Sequence, residues 1–165
     1  MAQLQILVYP DERLRQVSRP VKTVDHKVSG FISDLEKTLI SLPRCVGIAA
    51  PQVGVFLRII IVDVSSRPQH ENHGHLVLIN PVIIWDEGIS VGREGCLSVP
   101  NFTGKVSRSQ FIEVQALNKL GSKVAFRMEG YEARAVQHEI DHLDGKLFID
   151  NLVGNRNSFE KRVGY

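Results

Sequence analysis

Tyr131-Glu132-Ala133-Arg134-Ala135-Val136-Gln137-His138-Glu139-Ile140-Asp141-His142-Leu143-Asp144-Gly145 decides both the fold and the chemistry of this chain. The stretch reads as a helix from near Tyr131 to about Leu143, with Gly145 just beyond it as a stop signal. Inside it lies His138-Glu139-Ile140-Asp141-His142, an H-E-x-x-H pattern. Four helical residues turn through roughly 400° and rise roughly 6 Å, so the two imidazoles stand one turn apart on nearly the same face and can share a metal ion. Glu139 lies just off that face, close enough to exchange a proton with metal-bound water without being a ligand. The competing reading is a solvated helix with two surface histidines.

Upstream, most of the chain reads as strands. Ile6 to Tyr9 is a short run stopped by Pro10, and Leu57 to Val64 is a buried strand by its β-branched content. Further runs cover His75 to Asn80, Val82 to Trp85, Ile89 to Arg93 and Phe111 to Leu117. Asn118 to Ser122 is a hairpin turn into Lys123 to Met128. One other helix is expected. Val28, Phe31, Ile32, Leu35, Leu39 and Leu42 recur at helical spacing, Asp25 is the N-cap and Pro43 the stop, with Gly30 tolerated at about 1 kcal/mol relative to Ala. Asp11 to Val17 is a helical turn or loop, and Ser65 to Gly74 a polar surface loop. Strands grouped before a terminal helix predict an α+β fold, mainly antiparallel, around that C-terminal helix.

A length of 165 residues suits one domain spanning 1–165, and 43% hydrophobic with 23% charged residues describes an ordinary globular protein. The net charge of +2 is small and its basic residues are scattered, so nucleic-acid recognition is not expected. The N-terminus lacks the pattern of a secretory signal, and no apolar stretch approaches membrane-spanning length. The chain is therefore expected in the cytoplasm, with Cys45 and Cys96 as reduced thiols or metal ligands.

A catalytic divalent site usually takes three protein ligands and leaves a position for water, so the third ligand sets the class. Metzincin proteases continue as H-E-x-x-H-x-x-G-x-x-H, but Phe148 stands where their third histidine belongs. Gluzincin proteases take a glutamate from a later helix, and Glu160 is too near the end to belong to one. An upstream candidate is Glu94-Gly95-Cys96-Leu97-Ser98, a cysteine in a glycine-containing turn after a strand. A lone cysteine is more often a buried small hydrophobe; the preceding Glu94 and Gly95 weigh toward a ligand turn. A third segment, Cys45-Val46-Gly47-Ile48-Ala49-Ala50-Pro51-Gln52, has small residues that allow close backbone approach and an amide able to serve an oxyanion. It reads equally well as a tight connection.

Together these three ordered segments resemble the peptide deformylase family, which removes the formyl group from the N-terminal methionine of new bacterial and organellar proteins. Tyr9-Pro10-Asp11-Glu12-Arg13-Leu14-Arg15 and Gly145-Lys146-Leu147-Phe148-Ile149-Asp150 are similar to that family too, so the resemblance covers nearly the whole chain. It implies one divalent metal per chain, held by Cys96, His138 and His142, with Fe2+ expected and Zn2+, Ni2+ or Co2+ able to substitute. It implies Glu139 as base and then acid, and the Gln52 side chain with the Leu97 backbone N–H on the oxyanion. Gly47, Ile48, Gly95 and Cys45 would line the cleft for an N-formylmethionyl peptide. Some family members carry a longer C-terminal helix for contact with the ribosome; here Phe159 to Tyr165 is short, and a frayed end is expected.

Cys45 departs from the family, which usually has glycine there, and it supports the alternative of a non-catalytic relative that binds formyl-peptides or metal. His70, His73 and His75 suggest a second metal less well than a solvated loop. Arg134 is expected either to pair with Glu94 or to be a plain helix-face charge.

Overall fold

Ile59-Ile60-Ile61-Val62 lies at the heart of the computed structural model, which describes residues 3–154 and 159–161. All four side chains are fully buried because this strand is covered on both faces. Ile59 and Ile61 face one apolar cluster with Ile32, Leu35 and Leu39, while Ile60 and Val62 face another with Ala133, Val136 and Leu143. The first partner is α1 (His26–Ser41), capped by the Asp25 carboxylate accepting from the Val28 N–H at 2.9 Å. The second is α2 (Gly130–Leu143).

The large sheet contains β1 (Gly47–Ala49), β2 (Ile59–Asp63), β3 (His75–Glu87), β6 (Phe111–Leu117) and β7 (Lys123–Glu129), in the order β1-β2-β3-β6-β7. The second sheet contains β4 (Ser90–Cys96), β5 (Val99–Arg108) and β8 (Phe159–Lys161). Every strand pair in both sheets is antiparallel, in agreement with the expected α+β class. A third cluster, with Leu7, Leu14, Cys96, Val99, Val106, Leu147 and Phe148, fills the space beside the smaller sheet.

Four expectations need correction. Ile6 to Tyr9 joins no sheet; its Leu7 and Tyr9 N–H groups instead donate to the carbonyls of Gln52 and Ser98. The runs at 75–80 and 82–85 form one strand, β3, which carries a register shift between Ile79 and Val82 and a left-handed Asn80 (φ 53°). The Asn80 side chain ties that irregularity to both backbone groups of Val21. β5 was not expected at all, because its inward positions Gly104, Val106 and Arg108 include a glycine and a charge in place of apolar residues. At the tail, Phe159–Lys161 pairs with β5 and is not frayed, while residues 162–165 lie outside the described residues. No helix among the described residues is long and apolar enough to cross a membrane.

Gly145 ends α2 with φ 71°, and a Cβ built there would sit 2.3 Å from the Arg15 carbonyl oxygen. Gly30 in α1 has open space around it. Urea denaturation is expected to show Gly145→Ala destabilised by about 2 kcal/mol or more, and Gly30→Ala stabilised by about 0.5–1 kcal/mol.

Candidate active site

The helix motif is buried, not solvated: His138, Glu139 and His142 are 8%, 5% and 1% exposed. Cys96, the last residue of β4, brings its Sγ to 3.2 Å from His142 Nε2. One potential ligand atom from each of Cys96, His138 and His142 lies within 4.8 Å of the others, and among the described residues this is the one such group. Ligand bonds of about 2.0–2.3 Å at tetrahedral angles place donor atoms roughly 3.3–3.6 Å apart, so the three fit one divalent ion with small adjustments. Burial pushes His142 well below its usual value, toward the neutral imidazole that ligates metal. Phe148, standing where a metzincin has its third histidine, stacks on the His138 ring at 6.2 Å.

Glu94 orders this group from behind. Its carboxylate accepts from His138 Nδ1 at 2.8 Å, from Arg108 Nε and Nη2 at 2.9 Å each, and from Arg134 Nη1 at 2.8 Å. The bond through Nδ1 leaves Nε2 of His138 as the metal-facing nitrogen. Burial raises the Glu94 pKa, but the contacts with His138 and Arg108 more than reverse this and hold it well below the carboxylate range. Arg134 is therefore an ion-pair partner and not a plain helix-face charge. Arg108, which also pairs with Asp141, escaped sequence reasoning because nothing in its neighbourhood forms a motif.

Glu139 faces the other way. A Cβ added at Gly47 would lie 2.5 Å from Glu139 Oε1, so only glycine leaves room for the carboxylate against β1. Its Oε2 is buried without a hydrogen-bond partner among the described residues, the state of a group that serves a water or substrate. Burial pushes its pKa up to about 7. Gln52 is fixed by accepting from the Ala49 N–H at 2.9 Å, and its amide nitrogen reaches Ser98 Oγ at 3.1 Å and Cys96 Sγ at 3.5 Å. Ser98 carried no sequence signal of its own.

These groups open into a cleft of about 460 Å³. Cys45, Gly47, Gln52, Gly95, Cys96, Leu97, His138 and Glu139 all border it. Ile48 does not: its side chain is fully buried in the cluster with α1, which leaves only its backbone for a ligand. The three histidines upstream are occupied elsewhere. His70 stacks on Tyr131, His73 bonds to Glu132, and His75 pairs with Glu36 and Asp63.

A family model described as polypeptide deformylase matches residues 3–158. The chain belongs to the polypeptide deformylase family. A peptide deformylase from Halothermothrix orenii is 47% identical, with 93% of this chain and 96% of that protein aligned. The crystal structure of a peptide deformylase from Legionella pneumophila is similar with a TM-score of 0.84 and 40% identity, over 92% of this chain and 87% of that one. A Met-Ala-Ser-bound class I type b peptide deformylase from Acinetobacter baumannii gives a TM-score of 0.84 and 32% identity, over 92% and 99% of the two chains.

Metal analysis of protein loaded anaerobically with ferrous iron is expected to find about one ion per chain. Cys96→Ala and His142→Ala are expected to lose most of it, and His70→Ala to keep it.

Proposed function

We propose that residues 1–165 form one catalytic domain that hydrolyses the formamide of N-formylmethionyl peptides to formate and a free N-terminal amine. The observation that carries this reading is the buried, unpartnered carboxylate oxygen of Glu139 beside Cys96, His138 and His142, on a cleft large enough for a peptide. Family membership supports the choice of bond, as does the relative holding Met-Ala-Ser.

Cys96, His138 and His142 are the residues to hold the metal. A divalent ion there supplies a lowered water pKa and a polarised carbonyl. Ferrous iron is the proposed ion, and zinc, nickel and cobalt suit the same two imidazoles and thiolate. Glu139 takes a proton from water as its oxygen adds to the formyl carbon. The C–N bond then breaks, and the same carboxyl returns a proton to the leaving nitrogen, a role worth on the order of 10²–10⁴-fold. The Gln52 amide and the Leu97 N–H stabilise the oxyanion, each by about 10²–10³-fold. β1 is a sheet edge, so an extended peptide can lie along the backbone of Gly47 and Ile48, with Gly95 and Cys45 bordering its path. The substrate places the enzyme in a bacterial-type cytoplasm with transient access to the ribosome.

A protein that only bound formyl-peptides would gain nothing from a buried carboxylate with an unmet oxygen, which is costly to desolvate. Iron-loaded protein is expected to release formate from formyl-Met-Ala-Ser under anaerobic conditions. Glu139→Ala should lower kcat at least about 10²-fold while retaining the metal. Release no faster than in that variant would contradict the reading.

A further inference from the structure

The cleft is unequally charged. Arg44, Arg67, Arg93 and Arg134 border it, against Glu94 and Glu139. Both glutamates are buried, and Glu94 is already engaged by Arg134. Arg93 pairs with Glu160 at 3.2 Å. Arg44 and Arg67 have no ion pair among the described residues, and both are exposed.

Neither is simply loose. Arg44 sits at φ 63° in the turn that leads to β1. Arg67 stands in the 64–74 connection, which is fastened to α2. The His73 backbone N–H and Nδ1 bond to the buried Glu132 carboxylate at 2.7 and 2.6 Å, and the His73 ring meets Phe126 edge-on at 5.1 Å. His70 stacks on Tyr131 at 5.2 Å, and the Arg67 guanidinium lies 4.7 Å from the centre of the same ring. This clamp prepositions a cation inside the cleft, which lowers the ordering cost of binding an anion.

Its place along the cleft can be read from α2. Tyr131 precedes His138 by seven helical residues, or roughly 10 Å. An extended peptide covers that distance in about three residues. With the formyl group at the Glu139 end, Arg67 meets the peptide near its third residue. Arg44 lies close in sequence to Gly47, which packs against Glu139, and adds charge to the same cleft.

We propose that Arg67, with Arg44, forms a subsite for an acidic side chain at the third residue of the formylated peptide. The enzyme thereby favours nascent chains whose formylmethionine is followed closely by Asp or Glu. This inference rests on the deformylase reading above.

The test compares formyl-Met-Ala-Glu-NH2, formyl-Met-Ala-Gln-NH2 and formyl-Met-Ala-Lys-NH2, amidated so that no terminal carboxylate contributes. At low salt kcat/KM should favour the glutamate over the lysine peptide by roughly three- to tenfold, through KM and not kcat. The ratio should shrink toward one at about 0.5 M salt. Arg67→Lys should preserve the preference, and the double substitution Arg44→Glu with Arg67→Glu should invert it. Turnover of the glutamine peptide reports whether each variant is folded. Equal kcat/KM for the glutamate and lysine peptides, or a ratio unchanged in the double variant, overturns the subsite. Failure of the wild-type protein to release formate from any peptide overturns the deformylase activity itself, and the subsite with it.

Discussion

The Glu94 carboxylate is the junction on which the site depends. It sits on β4 and receives charged donors from Arg108 on β5 and Arg134 on α2, and the ring N–H of His138, also on α2. Arg108 extends the chain of charges to Asp141, also on α2. Two arginines against two acids leave the network balanced. Such a network adds little net stability compared with an apolar core, but removing one member strands the others at about 3–5 kcal/mol. Its value is positional: the sheet that carries Cys96 and the helix that carries both histidines are held in one register.

The same economy recurs on the other side of the cleft. The N-terminal stretch donates from Leu7 to the Gln52 carbonyl and from Tyr9 to the Ser98 carbonyl, while the side chains of Gln52 and Ser98 bond to one another. One extended segment thus braces both the turn that carries Gln52 and the turn that follows Cys96. Gly47 completes the arrangement by leaving space for Glu139 against β1. Cys96 ends a strand and His138, Glu139 and His142 stand on one helix. Gln52 and His138 are each held by a further hydrogen bond, to the Ala49 N–H and to Glu94, which is the kind of preorganisation a catalytic site needs.

Much of this was legible in the sequence. His138 and His142 declare themselves by helical spacing, α1 by its apolar stripe and the Asp25 cap, and β2 by four consecutive β-branched residues. Elements whose residues answer to distant partners were hidden. β5 carries Arg108 at an inward position because Glu94 is waiting there, so the apolar alternation of a strand is broken. Ile6 to Tyr9 has strand composition, yet its hydrogen bonds go to turns 45 and 89 residues away in sequence, and no local pattern records that. Asn80 breaks the pattern of β3 because its side chain serves Val21. Ile48 looked like cleft lining by position, but alternation along β1 turns its side chain into the core and Gly47 toward Glu139.

Coupling between the Glu94 network and the metal centre can be measured by chelator competition for zinc. Glu94→Gln keeps the shape of the side chain and removes the charge that orients His138. The coupling predicts zinc affinity about 10–100-fold weaker in this variant than in the wild type. Wild-type affinity in folded Glu94→Gln protein would contradict it.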